Sequence, residues 1–247
     1  MEDNMHKKQI SLCPVFFFAA LSLINIGEVQ AVNKTLNTKQ QAVVSIAAFT
    51  ANGDLEKLRP ALNEGLDAGL TVNETKEILV QMYAYCGFPR SLNGISTFMA
   101  VMDERGKKGI QDKMGKETTP MPPGLDRDRY GTQTRAKLGG LASISQPSGY
   151  QLFVPVIDAF LKEHLFADIF YRDNLDWQTR ELATISALAA MGGVAGQLQF
   201  HMGAAMNMGI TEWQAKEFIA LLAAKLGQKE AEIAADVLDK VIAARNK

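Results

Sequence analysis

The chain repeats itself at an offset of 140 residues: Val43–Gly87 lies over Ala183–Gly227 without a gap. Ala47 falls on Ala187, Gly53 on Gly193, Leu58 on Leu198, Gly69 on Gly209, Thr71 on Thr211, Glu77 on Glu217 and Gly87 on Gly227. The sequence therefore carries two copies of one unit. Its most regular feature is a Gly-[Leu/Ile]-Thr triplet, Gly69-Leu70-Thr71 and Gly209-Ile210-Thr211. Such a triplet joins two helices. The glycine takes the left-handed position that ends the first, and the threonine accepts from the free N–H groups that start the second. Each copy then reads as a helix, a glycine turn, a second helix, the triplet and a third helix. Runs of Ala, Leu, Met, Glu, Gln and Lys favour helix, and β-branched alternation is nearly absent. The expected fold is all-α, a tandem duplication of a helical hairpin plus a helix.

The copies differ where chemistry would lie. In the second, two apolar runs flank Gly192-Gly193 and carry Glu181, Gln197 and His201. Antiparallel helices joined there bring Glu181 and His201 to one level, because each lies about ten residues from the turn. Gln197 and His201 are four apart, on one face. A carboxylate facing an imidazole inside an apolar hairpin forms a proton-transfer pair. In the first copy Gln41 replaces Glu181 and Ala61 replaces His201. That copy instead holds Tyr85-Cys86-Gly87-Phe88-Pro89-Arg90, absent from the second. The expectation is one composite site per chain. Between the copies, residues 107–150 hold Pro120, Pro122, Pro123, Pro147 and several glycines, and read as an irregular linker with weak helical signal only over Asp126–Leu138. The first repeat is placed at 38–106 and the second at 151–247. Val156–Phe170 reads as a helix, and Asp176 as the N-cap of the helix bearing Glu181.

The N-terminus reads as a targeting segment. Lys7 and Lys8 precede an apolar stretch from Ile10 to Ile26, and Val29-Gln30-Ala31 suits signal-peptide cleavage after Ala31. Pro14 and Asn25 make the stretch a poor membrane span. Residues 1–31 are thus expected to be removed and the protein exported, to a periplasm. Cys13 would leave with the signal, so Cys86 remains alone and no intramolecular disulfide or Cys-x-x-Cys pair can form. The net charge of −1 gives no electrostatic case for nucleic acid or an acidic membrane surface.

In order along the chain stand Tyr85-x-Gly87-Phe88-Pro89, Phe160-Leu161-Lys162-Glu163-His164-Leu165-Phe166, Arg180-Glu181-Leu182, Gln197-Leu198 with His201, and Gly209-Ile210-Thr211. This set, duplicated, resembles the carboxymuconolactone decarboxylase family, the all-helical group that includes the AhpD-type alkylhydroperoxidases. The resemblance covers about residues 38–245. It implies the AhpD-like helical fold and places that family's Glu and His at Glu181 and His201. The peroxidase branch needs a Cys-x-x-Cys pair before the His; here Gly196-Gln197-Leu198-Gln199-Phe200 stands there, without a thiol.

The decarboxylase branch implies a small unsaturated lactone acid as substrate. No metal or cofactor is implied, since the substrate acts as its own electron sink. By resemblance, His201 donates the proton and Glu181 orients the imidazole. Gln197 would bond a lactone carbonyl, Arg180 or Arg90 would grip a carboxylate, and Tyr85 and Phe88 would wall the pocket. Export departs from the cytoplasmic setting of that reaction, so another substrate needing the same groups is equally compatible. A non-catalytic binding or scaffold protein of the same fold is an alternative, and a single-cysteine peroxidase using Cys86 a third. Relatives with one repeat are multimers, so the fused chain is expected to form a homo-oligomer, with a trimer as the guess.

Overall fold

The computed structural model describes residues 35–142 and 146–246. The segment read as an export signal lies outside them. No helix among the described residues is long and apolar enough to cross a membrane. The first repeat consists of α1 (Thr38–Asn52), α2 (Leu55–Asp67) and α3 (Val72–Lys107). Then come α4 (Arg127–Leu138), two short helices α5 (Tyr150–Phe153) and α6 (Pro155–Ala159), and a π-helical segment, Phe160–Ile169. The second repeat is α7 (Trp177–Met191), α8 (Ala195–Asn207), α9 (Glu212–Lys225) and α10 (Gln228–Arg245). All described elements are helical.

The junctions are explained by the residues at them. Gly69 and Gly209 sit at φ 93° and 104°, where a Cβ is disfavoured. Thr71 and Thr211 each close a capping box, accepting from the N–H of Glu74 and Gln214 while those side chains return to the threonine N–H. Asp176 caps α7 by accepting from Thr179 N–H. The duplication also runs past the point where sequence identity ends. Gly87 (φ 77°, ψ 166°) breaks α3 and Gly227 (φ 124°, ψ 171°) separates α9 from α10. Each repeat therefore has a fourth helix, the second half of α3 matching α10.

The core is made where the two copies meet. Helices α1 and α7 pack along each other, and Ala42–Ala51 and Arg180–Ala189 are buried at every position. A helix covered on all sides shows no polar face. The hydroxyls inside it, Thr50, Thr184 and Ser186, donate to the carbonyls of Ile46, Arg180 and Leu182 four residues back. The alanines Ala47, Ala183 and Ala187 let the helices approach closely.

Arg180 is not at the surface or in a cavity. It is wholly buried. Its Nη2 donates to Glu77 Oε1 at 2.8 Å and to Arg172 O, and its Nη1 to Gln81 Oε1 at 2.9 Å. Gln81 Nε2 donates onward to Thr184 Oγ1 at 3.2 Å. This network ties α3 of one repeat to α7 of the other, and it corrects the reading of Arg180 as a substrate-carboxylate grip: the side chain is wholly buried and both terminal nitrogens already have partners inside the core.

The inter-repeat segment is irregular from Lys108 to about Asp126 but not detached. Lys113 O and Met114 O accept from the N–H groups of Val72 and Asn73, both at 2.9 Å, satisfying donors that the first turn of α3 leaves open. Asp126 caps α4, which forms over the stretch of weak helical signal. Helix α4 crosses the π segment at Gly131, where an added Cβ would stand 1.8 Å from Lys162 O. Gly131→Ala is therefore expected to push α4 off the segment and destabilise the protein by about 1–3 kcal/mol, the range for overpacking. Urea unfolding measures this, and an unchanged midpoint would refute the contact. The helix expected over Val156–Phe170 is present but changes type: from Phe160 it is π-helical, closing with Phe170 N–H donating to Leu165 O at 3.2 Å.

Candidate functional site

Helices α7 and α8 form the hairpin that the Gly192-Gly193 turn announces. At its middle, His201 Nδ1 and Glu181 Oε2 are 2.7 Å apart. Glu181 is fully buried and His201 is 5% exposed. An ionised carboxylate only accepts, so Nδ1 carries the hydrogen it receives. Nε2 makes no hydrogen bond among the described residues. The imidazole is clamped edge-on between two rings, Tyr85 at 5.2 Å and 86° and Phe200 at 5.0 Å and 87°. Its position is thus fixed by one strong hydrogen bond and two aromatic contacts.

His201 lines a cavity of about 680 Å³. Helix α3 contributes Ala84 and Tyr85, α7 contributes Leu188 and α8 contributes Gln197 and Phe200. The π segment closes one side with Leu161, Leu165 and Phe166, while α4 and α5 add Arg135 and Tyr150. The wall is mostly apolar with a few convergent polar groups, the usual form of a small-molecule site. Two polar atoms at this place are buried and unpartnered: the Tyr85 hydroxyl and Glu181 Oε1. Burial first, and the Glu181 charge second, push the Tyr85 phenol well above its ordinary range. The hydroxyl therefore stays protonated and available as a donor.

Of the residues singled out from sequence, His201, Gln197 and Tyr85 share this cavity, and Glu181 stands behind the histidine. Arg90 and Phe88 do not line it, and Arg180 lies in the core network described above. The cause for the first two is the break at Gly87. Tyr85 ends the inner half of α3 facing the cavity, whereas Phe88 and Arg90 begin the next half. Phe88 is 61% exposed and stacks on Tyr83 with centroids 4.2 Å apart. The Arg90 guanidinium covers Gly53 at the α1–α2 turn, so closely that a Cβ there would overlap it.

Two polar lining residues, Arg135 and Tyr150, are not among the site residues expected from the sequence. Both lie in what reads as a linker. A signal for Arg135 existed: Gly131 inside a polar helix marks a contact face, and Arg135, four residues on, shares it. Cys86 is half-buried, and its thiol donates to Met82 O at 3.0 Å. Burial pushes it up to about 11, so little thiolate exists at neutral pH.

Among proteins of known families, the model of the carboxymuconolactone decarboxylase family matches residues 17–97 and again 155–240. No curated protein matches the chain. The second match lies within the second copy; the first covers most of the first copy but begins at residue 17, within the apolar N-terminal stretch, and Arg135 and Tyr150 fall between the two.

Proposed function

The chain belongs to the carboxymuconolactone decarboxylase family, and from that premise we propose that it is a cofactor-independent acid–base enzyme acting on a small carboxylated lactone or a related acid. The observation that carries this reading is the buried His201–Glu181 pair, with Nδ1 held at 2.7 Å and the ring lining the cavity. In the reaction the bond from ring carbon to carboxylate breaks and CO₂ leaves. The electron pair spreads through the ring double bond onto the lactone carbonyl oxygen. A proton carried on Nε2 of the imidazolium form of His201 then goes to carbon, leaving the neutral ring with its hydrogen on Nδ1, and solvent later restores the Nε2 proton. Gln197 is the donor at hand for the carbonyl oxygen as it gains charge, and the Tyr85 ring walls the site. Glu181 is a positioning residue, holding the ring and its tautomer. The apolar walls exclude water from the carbanionic intermediate.

The test is CO₂ release from γ-carboxymuconolactone. Release that depends on His201 supports the reading, and no release sinks it for this substrate. We further propose that the enzyme acts after export, on the strength of Lys7, Lys8 and the apolar stretch before Ala31; N-terminal sequencing of the exported protein is expected to begin at Val32. Size-exclusion chromatography with light scattering checks the proposed homo-oligomer, which the exposed side chains of Leu152, Phe153, Val156 and Phe160 support.

The thiol of Cys86 argues against a peroxidase. Its pKa near 11 leaves it a poor nucleophile, and it does not line the cavity. Cys86→Ser is accordingly expected to leave CO₂ release unchanged. Peroxide consumption by the wild type that the variant abolishes is the result that would reverse this.

A further inference from the structure

We propose that Arg135 is the anion anchor of the cavity, a specificity-determining residue that the segment between the repeats supplies to hold the substrate's carboxylate. The inference rests on the reading of the cavity as the active site and adds the group that selects its substrate. Arg135 is the only arginine or lysine lining that cavity among the described residues. Its Nη1 donates to Asp158 Oδ1 at 2.7 Å. Asp158 is buried, accepts also from Gln151 Nε2 at 3.0 Å, and lies 3.5 Å from Lys162 Nζ. Asp158 thus fixes the guanidinium while sharing its own charge with a second cation. Nε and Nη2 of Arg135 make no hydrogen bond among the described residues. A guanidinium offers five donors in a planar fork, so most of its capacity is uncommitted.

Location makes the charge matter. The Arg135 side chain is 21% exposed and lines the same cavity as Leu161, Leu165 and Phe166. Little water competes there for an anion, and a charge-assisted fork is strong in such surroundings. With Tyr150 and Phe200 it also borders a smaller adjoining cavity of about 160 Å³, so a ligand entering either space meets it. Of the other polar lining groups, His201, Gln197 and Tyr85 come from the repeats, and Tyr150 from the same inter-repeat segment. The repeats provide the proton-transfer machinery, and the inter-repeat segment provides the charge that chooses what it acts on.

The experiment compares benzoate with benzamide, probes of one shape and different charge, by calorimetry on the full chain. The wild type is expected to prefer benzoate by at least about tenfold, the scale of a hydrogen bond to a charged group. Arg135→Gln is expected to abolish the preference. Arg135→Lys, which keeps the charge but loses the fork, should keep part of it. Arg127→Gln, on the same helix but outside the cavity, should keep all of it. Asp158 retains Gln151 and Lys162 in the Gln variant, so folding is expected to survive, and thermal unfolding checks it. If that variant does not fold, the Lys variant decides, since an undiminished preference there overturns the fork. Absent benzoate binding, equal binding of both probes by wild type, or a preference that Arg135→Gln leaves intact also overturns the proposal. Because the readout is binding, its failure separates from that of the decarboxylase reading. Probe selection that tracks Arg135 without CO₂ release would leave the anchor standing and the reaction wrong. Release with unchanged KM in Arg135→Gln would do the reverse.

Discussion

His201→Gln is expected to lower CO₂ release from γ-carboxymuconolactone by at least about a hundredfold, the usual scale for losing a general acid. Glutamine is the informative replacement. Alanine would leave the Glu181 carboxylate buried without its one partner, and an unpaired buried charge is costly enough to confuse lost chemistry with lost folding. A glutamine amide can still donate to Glu181 but cannot deliver a proton. The expected result is therefore a collapse in kcat with the thermal midpoint nearly kept. Glu181→Gln, nearly isosteric, separates positioning from structure: kcat should fall while KM and the midpoint hold. A His201→Gln variant within a few-fold of wild type would remove the imidazole from the mechanism and turn attention to a binding protein of the same fold.

Arg180→Met is expected to cost about 3–5 kcal/mol of stability, the penalty for breaking a buried ion pair from one side. No exposed pair here should approach it; Lys107–Asp103, with both partners mostly in water, belongs to a class worth about 0–1 kcal/mol. The difference lies in what is left behind. Without Arg180, Glu77 stays buried, and only Arg172, itself partly exposed, still pairs with it, at 2.8 Å. Gln81 also loses the donor to its carbonyl. The double variant Glu77→Leu/Arg180→Met is expected to recover much of the loss, because no charge is then stranded. Acid should act on the same network. Burial pushes the Glu77 carboxyl up, but Arg172 and Arg180 outweigh it and hold it below its ordinary value. Its contribution is then complete above the ordinary carboxylate range near 4.5. It is lost as pH falls below that through the lowered folded value. Urea midpoints measured against pH should show this decline in the wild type and a flatter one in the double variant. Equal slopes would mean that other carboxylates carry the acid sensitivity.

What could be read in advance was whatever had a local cause. Gly69, Thr71, Gly209 and Thr211 announce helix ends because their backbone and capping needs are met within a few residues. The Glu181–His201 pairing came from counting outward from one glycine turn. The rest depended on contacts distant in sequence. Arg180 has the composition of a surface residue and adjoins Asp176. Only the packing of α3 on α7, through Glu77 and Gln81 about a hundred positions earlier, makes it a core group. Phe88 and Arg90 read as one group with Tyr85 because they adjoin it in sequence, and a single glycine, Gly87, turns them away. Arg135 sits among other charged residues of α4, and nothing nearby says which of them meets a cavity built by the flanking repeats.

The π-helical turn of Phe160–Ile169 has an arithmetic consequence. An α-helix advances about 100° per residue, and a π-helix carries more residues in each turn. The segment therefore accommodates residues that an α-helix of the same span could not, and their phasing is what aims Leu161, Leu165 and Phe166 at one wall. Tightened to α pitch with no residue lost, the segment would carry Leu165 and Phe166 to about 40° and 140° from Leu161, and Phe166 would leave the wall. With one residue removed between Leu161 and Leu165, the three would take the i, i+3 and i+4 positions of an ordinary helix and share a face again. In this wall register matters as much as composition: the additional residue and the wide turn offset each other, and the loss of either one alone turns the lining out of phase.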